Sequence, residues 1–213
     1  MTDEVSRRSF IKTTLTALIA SGGAASAAEP KLDNSRPTKN LDAIFSNEAY
    51  KGITTQTSEA LDAAKLKGKV TLFVTGFEGC PVCANIAKTL VATQKKLNDA
   101  GIEHQIVVMS IKPETDREDL KAYVERYKAA GLEVEHGKLM LLMAPSNKIA
   151  SDIHTENFAM RNINDAGNHT LKIYVYGADG KNIGAAFASE EAKKDTVANA
   201  TLNSITAAQG HNR

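Results

Sequence analysis

From residue 69 onward, short apolar runs alternate with amphipathic stretches. Residues 69–75 (KVTLFVT) are apolar and β-branched and are bounded by Gly68 and Gly76, which predicts a strand buried on both faces. Cys83, Ile86, Ala87, Leu90, Val91 and Leu97 then recur at three- and four-residue spacing up to Gly101, the pattern of an amphipathic helix with a stop signal. Residues 102–111 (IEHQIVVMSI) read as a second buried strand, so strand, helix and strand predict a right-handed parallel unit. Asp116 is read as the cap of a helix carrying Leu120, Tyr123, Val124 and Tyr127 on one face and ending at Gly131. Residues 139–144 predict a strand, 147–158 a helix and 159–168 a polar loop. Strands over 171–176 and 183–188 are joined around Asp179-Gly180, a hairpin signal, and a helix over 189–208 closes the chain. Ahead of all these, residues 28–51 are polar and irregular, with Pro30, Asn34 and Pro37, and read as a flexible lead-in giving few residues to the core. Residues 58–66 have room for one or two helical turns.

The first thirty residues carry a different message. Ser6-Arg7-Arg8-Ser9-Phe10-Ile11-Lys12 is followed by a mildly apolar run over 13–20 and by Ala25-Ser26-Ala27, a twin-arginine export signal with a small-residue cleavage site. The run is far shorter than the roughly 20 residues that cross a bilayer, so no permanent span is expected. No cysteine lies near the cleavage site to carry a lipid. The expected organisation is a signal peptide over 1–27, a lead-in over 28–67 and one domain over 68–213, placed in the periplasm. That compartment is oxidising.

Composition removes several classes. With 26 Lys and Arg against 25 Asp and Glu, the formal charge is +1, so the field that gathers phosphates is missing and no nucleic-acid partner is expected. Aromatic residues are 5% of the chain and Trp is absent, which leaves little for stacking bases or sugars.

The only two cysteines are Cys80 and Cys83. Three apart at a helix start, they share a face, and their sulfurs can meet each other or one metal ion. Pro81 suits the first helical position, which puts Cys80 at or beside the N-cap. The free N–H groups and positive dipole end there stabilise a thiolate, so Cys80 is expected to have the lower pKa of the pair and to act as the nucleophile. A disulfide that merely clamps the turn closes too small a loop to remove much chain entropy. With this pair at the strand-to-helix turn, the element order predicts a thioredoxin-like α/β fold with a central mixed sheet flanked by helices.

Two thiolates suit a soft ion such as Cu(I), whereas structural zinc usually takes four protein ligands. A third ligand would come from His104, His136, His154, His169 or His211. His104, His136 and His211 read most simply as solvated surface residues. The facing of His154 on its helix is open. Met140 and Met143 have copper-binding thioethers, but their leucine neighbours place them in a buried strand. Tyr123 and Tyr127 read as core or rim residues.

His169 stands in Asn168-His169-Thr170-Leu171-Lys172-Ile173-Tyr174-Val175-Tyr176, followed by Gly177-Ala178-Asp179-Gly180. This stretch resembles the histidine-bearing strand of the Sco/SenC copper proteins, where an Asp-His-Thr or Asp-His-Ser step enters a strand that ends in a Pro-Asp-Gly-type turn. Val70 to Thr75 with Phe77 and the cysteines resemble that family's strand-to-cysteine segment, and Val108-Met109-Ser110-Ile111-Lys112-Pro113-Glu114-Thr115-Asp116 resembles its Ser-Ile-Asp-Pro-Glu-Arg-Asp segment. The resemblance implies a thioredoxin-like fold in which Cys80, Cys83 and His169 bind one copper ion, as Cu(I) with Cu(II) a second state, for delivery to a cuproenzyme such as cytochrome c oxidase. In thioredoxins the loop before the matching strand faces the cysteine turn with a cis-proline, and here it holds His169-Thr170.

The chain departs from the family pattern in four places. Two residues separate its cysteines where the family has three, Ala84 stands where the family has a Pro after the second cysteine, Lys112 replaces the Asp of Asp-Pro-Glu, and the hairpin that usually precedes the first strand is not evident. The shorter loop moves the pair toward thioredoxin spacing. The alternative function is therefore a thiol-disulfide oxidoreductase, with Cys80 attacking a partner disulfide and Cys83 resolving the mixed disulfide. A binding domain with inert cysteines is a third class.

Overall fold

The computed structural model describes residues 39–80, 83–134, 138–158, 172–187 and 194–210. Its centre is one six-stranded mixed sheet in the order β1-β4-β3-β2-β5-β6, formed by β1 (Thr54–Thr55), β2 (Val70–Gly76), β3 (His104–Ser110), β4 (Leu139–Met143), β5 (Lys172–Tyr176) and β6 (Asn182–Phe187). Strands β2, β3 and β4 are parallel, while β5 pairs antiparallel with β2 on one side and with β6 on the other. Every residue of β2, β3 and β4 is buried, as their continuous apolar runs require when helices cover both faces. This is the thioredoxin-like arrangement expected from the order of elements.

The helices are α1 (Leu41–Phe45), α2 (Cys83–Asp99), α3 (Pro113–Asp116), α4 (Leu120–Ala129), α5 (Asn147–Asn157) and α6 (Lys194–Gly210). Helix α2 buries the stripe of Cys83, Ile86, Ala87, Leu90 and Leu97 foreseen from its periodicity, and α6 packs against it. The β5–β6 turn folds as its Asp-Gly signal demands: Gly180 takes φ 77°, a region that a side chain disfavours, and its N–H donates to the Gly177 carbonyl at 2.9 Å.

Residues 39–51 give the core the few residues expected of them: Leu41, Ile44 and Tyr50 are buried, and the Leu41 N–H donates to the Gly180 carbonyl. Two expectations are corrected. Asp116 does not cap the tyrosine-bearing helix. Asp119 does, accepting from the Ala122 N–H at 3.3 Å, because Pro113 starts a separate turn that ends at Asp116. His104, read as a solvated residue, is 4% exposed, with Nδ1 2.9 Å from the Ile102 carbonyl oxygen. It opens a central strand, and burial lowers its pKa.

Met140 and Met143 are buried in β4, as their neighbours required. Among the described residues, no helix is long and apolar enough to cross a membrane. The expected export signal over 1–27 and residues 28–38 lie outside the described residues.

Candidate metal and redox site

Parallel pairing brings the ends of β2, β3 and β4 to one edge of the sheet, with Gly76 beside Ser110 and Met109 beside Leu142. Carboxyl ends of parallel strands are where α/β folds place their ligands. The chain leaves β2 through Phe77, Glu78 and Gly79, reaches Cys80, and enters α2 at Cys83. The two cysteines form a disulfide with their Cα atoms 5.4 Å apart. Pro81 and Val82, between them, lie outside the described residues, and so does the expectation that Pro81 opens the helix.

The local geometry distinguishes the sulfurs. Cys80 Sγ accepts the backbone N–H of Cys83 at 3.2 Å, one of the N–H groups that a helix start leaves without a carbonyl partner. Once the pair is reduced, an N–H in this position would stabilise charge on the Cys80 sulfur. Cys83 is the deeper residue, 1% exposed against 4% for Cys80.

Three interactions brace the cysteine turn. Asp116 is buried, its Oδ2 accepting the Ser110 hydroxyl at 2.5 Å and its Oδ1 the Glu78 N–H at 2.9 Å. It thereby joins the end of β3 to the loop before Cys80. Burial raises the Asp116 pKa, and both hydrogen bonds oppose that shift. Glu78 also pairs with Arg126 of α4. Lys112, where the sequence departs from the family pattern, lies over the Phe77 ring, its Nζ 4.5 Å from the centroid. In that position its charge borders the cysteine turn.

Tyr123 and Tyr127 are core residues, and their hydroxyls and the Cys83 sulfur all approach Gly76. A Cβ added to Gly76 would lie 3.0 Å from Tyr123 Oη, 3.2 Å from Cys83 Sγ and 3.5 Å from Tyr127 Oη. Their four-residue spacing signalled a shared helix face. The facing strand residue could not be read from it.

Of the candidate third ligands, His104 opens β3 beside Val70, at the opposite end of the strands from the cysteines. His154 is fully buried on α5, with Nε2 3.5 Å from the Ser110 carbonyl oxygen. No group of three or more His, Cys, Asp and Glu side chains suited to a metal occurs among the described residues. His136, His169 and His211 lie outside them. The start of β5 is described: the register Thr71 with Tyr176 and Phe73 with Tyr174 sets Lys172 level with Thr75, one residue before Gly76. The strand that follows His169 in sequence therefore begins at the cysteine edge.

The fold has solved counterparts. A SCO1/SenC family lipoprotein from Bacillus anthracis covers 85% of this chain with 98% of its own, at 18% identity and a TM-score of 0.59. BsSco, described as a Sco-family cytochrome c oxidase assembly protein with a disulfide switch, gives 83%, 99%, 20% and 0.59 for the same quantities. Yeast Sco1, solved with copper bound, gives 84%, 95%, 14% and 0.55. No curated protein sequence matches the chain. The SCO1/SenC sequence model matches residues 47–205; with most of the chain inside that match, this protein belongs to the SCO1/SenC family.

Proposed function

We propose that this protein is an exported copper-binding assembly factor in which Cys80, Cys83 and His169 hold one copper ion for transfer to a cuproenzyme subunit, cytochrome c oxidase being the leading client. The observation that carries the reading is the placement of two adjacent sulfurs at the carboxyl edge of the sheet, the edge where β5 also begins. The donor set fits the cargo. Reduction of the disulfide frees two soft ligands close enough to share an ion, and an imidazole would complete a three-coordinate site suited to Cu(I). Copper thus requires the reduced pair, and binding displaces whatever protons the thiols hold. Copper-bound yeast Sco1 and the assembly role stated for BsSco support the assignment by likeness of fold.

Anaerobic titration of the reduced protein with Cu(I) tests it. One equivalent is expected to bind, and His169→Ala is expected to weaken binding about tenfold to a hundredfold, comparable to other losses that disturb a metal's ligand set. Unchanged affinity in that variant would remove His169 from the site.

The hydrogen bond from the Cys83 N–H to Cys80 Sγ favours a second reading, a thiol-disulfide oxidoreductase whose Cys80 attacks a partner disulfide and is released by Cys83. Insulin reduction that requires both cysteines, in a protein that does not retain Cu(I), would select it.

Export through the twin-arginine route to the periplasm completes the proposal. Substituting both Arg7 and Arg8 by Lys should hold the precursor in the cytoplasm, read by fractionation and blotting. Unaltered delivery of that variant would refute the signal.

A further inference from the structure

Tyr123 and Tyr127 are both fully buried, and beyond the interaction of the two hydroxyls with each other neither phenol oxygen finds a hydrogen-bond partner among the described residues. A hydrogen bond within the pair uses only one of the two O–H donors; burying the other without an acceptor costs about 1–3 kcal/mol, a cost that an acceptor supplied in another state would relieve. Burial pushes the Tyr127 phenol up to about 12 and Tyr123 well above its ordinary value. Both stay protonated and able to donate at any physiological pH. They converge on the space above Gly76, which they share with Cys83 Sγ. Gly76 has no side chain to stand between the hydroxyls and the sulfur.

In the disulfide, Cys83 Sγ is a weak acceptor. Reduction adds two electrons, breaks the S–S bond and leaves a thiol or thiolate, and a thiolate is a far better acceptor of O–H hydrogen bonds. We propose that Tyr123, assisted by Tyr127, donates a hydrogen bond to Cys83 Sγ in the reduced state and so favours the dithiol over the disulfide. The tyrosines are positioning residues, acting on the redox balance of the pair through Cys83. Cys80 has its own donor, the Cys83 N–H, so each sulfur has a separate source of stabilisation. This inference rests on the cysteine pair cycling between disulfide and dithiol, as both readings of the function require. It adds what sets the balance.

The reaction to measure is full thiol exchange: protein disulfide plus two equivalents of reduced glutathione gives protein dithiol plus oxidised glutathione. Where glutathione is too weak, dithiothreitol buffers extend the range with the same electron count. The full chain without its signal peptide, as wild type, Tyr123→Phe, Tyr127→Phe and the double variant, would be equilibrated in such buffers and the reduced fraction counted by alkylation and mass spectrometry. Tyr123→Phe keeps the packed ring and removes only the hydroxyl. It is expected to lower the equilibrium constant for reduction about tenfold, making the potential about 30 mV more negative. Tyr127→Phe, whose oxygen lies farther from the shared point, should shift it less, and the double variant should shift it most. A merely structural role would destabilise both redox states alike and leave the potential where it was.

Constants within about twofold of wild type for all three variants would overturn the inference, whatever the protein does with copper. A wild type that retains no Cu(I) but shows the tyrosine-dependent potential would instead defeat the copper proposal alone.

Discussion

Replacing Gly76 with valine is expected to destabilise the protein by about 3 kcal/mol, the upper part of the usual range for overpacking a closed core. The backbone there is not strained, since Gly76 is not among the glycines with positive φ. The obstacle is space. Even the first carbon of a side chain would meet Tyr123 Oη at 3.0 Å and Cys83 Sγ at 3.2 Å, and valine adds two methyl groups beyond it. Gly76→Ala should cost less, about 1–2 kcal/mol. Urea unfolding of the oxidised proteins measures both: with a denaturant slope of about 2 kcal/mol per molar, the valine variant's midpoint should fall by about 1.5 M. A valine variant with the wild-type midpoint would mean that the space above Gly76 is looser than the geometry indicates.

Loss of the Asp116 carboxyl is the second large effect. Asp116→Ala strips the acceptor from the buried Ser110 hydroxyl and from the Glu78 N–H, and the expected cost is about 3 kcal/mol. Denaturation showing less than 1 kcal/mol would argue that water replaces the carboxylate. The same residue gives stability a pH dependence with a defined sign. Burial, the largest influence on it, raises the folded pKa above the ordinary 3.8. The folded protein therefore holds this proton more tightly than the unfolded chain does. That contribution is complete below the ordinary carboxyl pKa and is lost as pH rises through the folded value. Asp116→Asn, which does not titrate, should remove this falling component from a stability profile taken upward from pH 4. An identical profile in the variant would assign the component to another group.

Asp116 also shows where reading the chain by pattern stops. An acidic residue before an amphipathic run is a good cap signal, and Asp116 and Asp119 fit it equally well. Only the fold distinguishes the two. Pro113 turns the chain so that Asp116 faces inward toward Ser110 and the cysteine turn. Leu41, Ile44 and Tyr50 of the lead-in are too few to make a periodic pattern, yet the fold buries all three.

What the chain determined by itself was local. Continuous apolar runs set the strands and periodicities of three to four residues the helices, Asp179-Gly180 set a turn, and Cys80 and Cys83 were tied to a helix start by Pro81 and the apolar stripe that follows, because each of these depends on residues within about one element of one another. The tertiary structure decided what meets across elements. It set β2 against β3 and β5, brought Tyr123, Tyr127 and Cys83 around Gly76, and turned His104 to the far end of the sheet from the sulfurs. Such meetings follow from strand order and from how closely side chains fill the core, quantities that belong to the whole packed chain and to no single stretch of it.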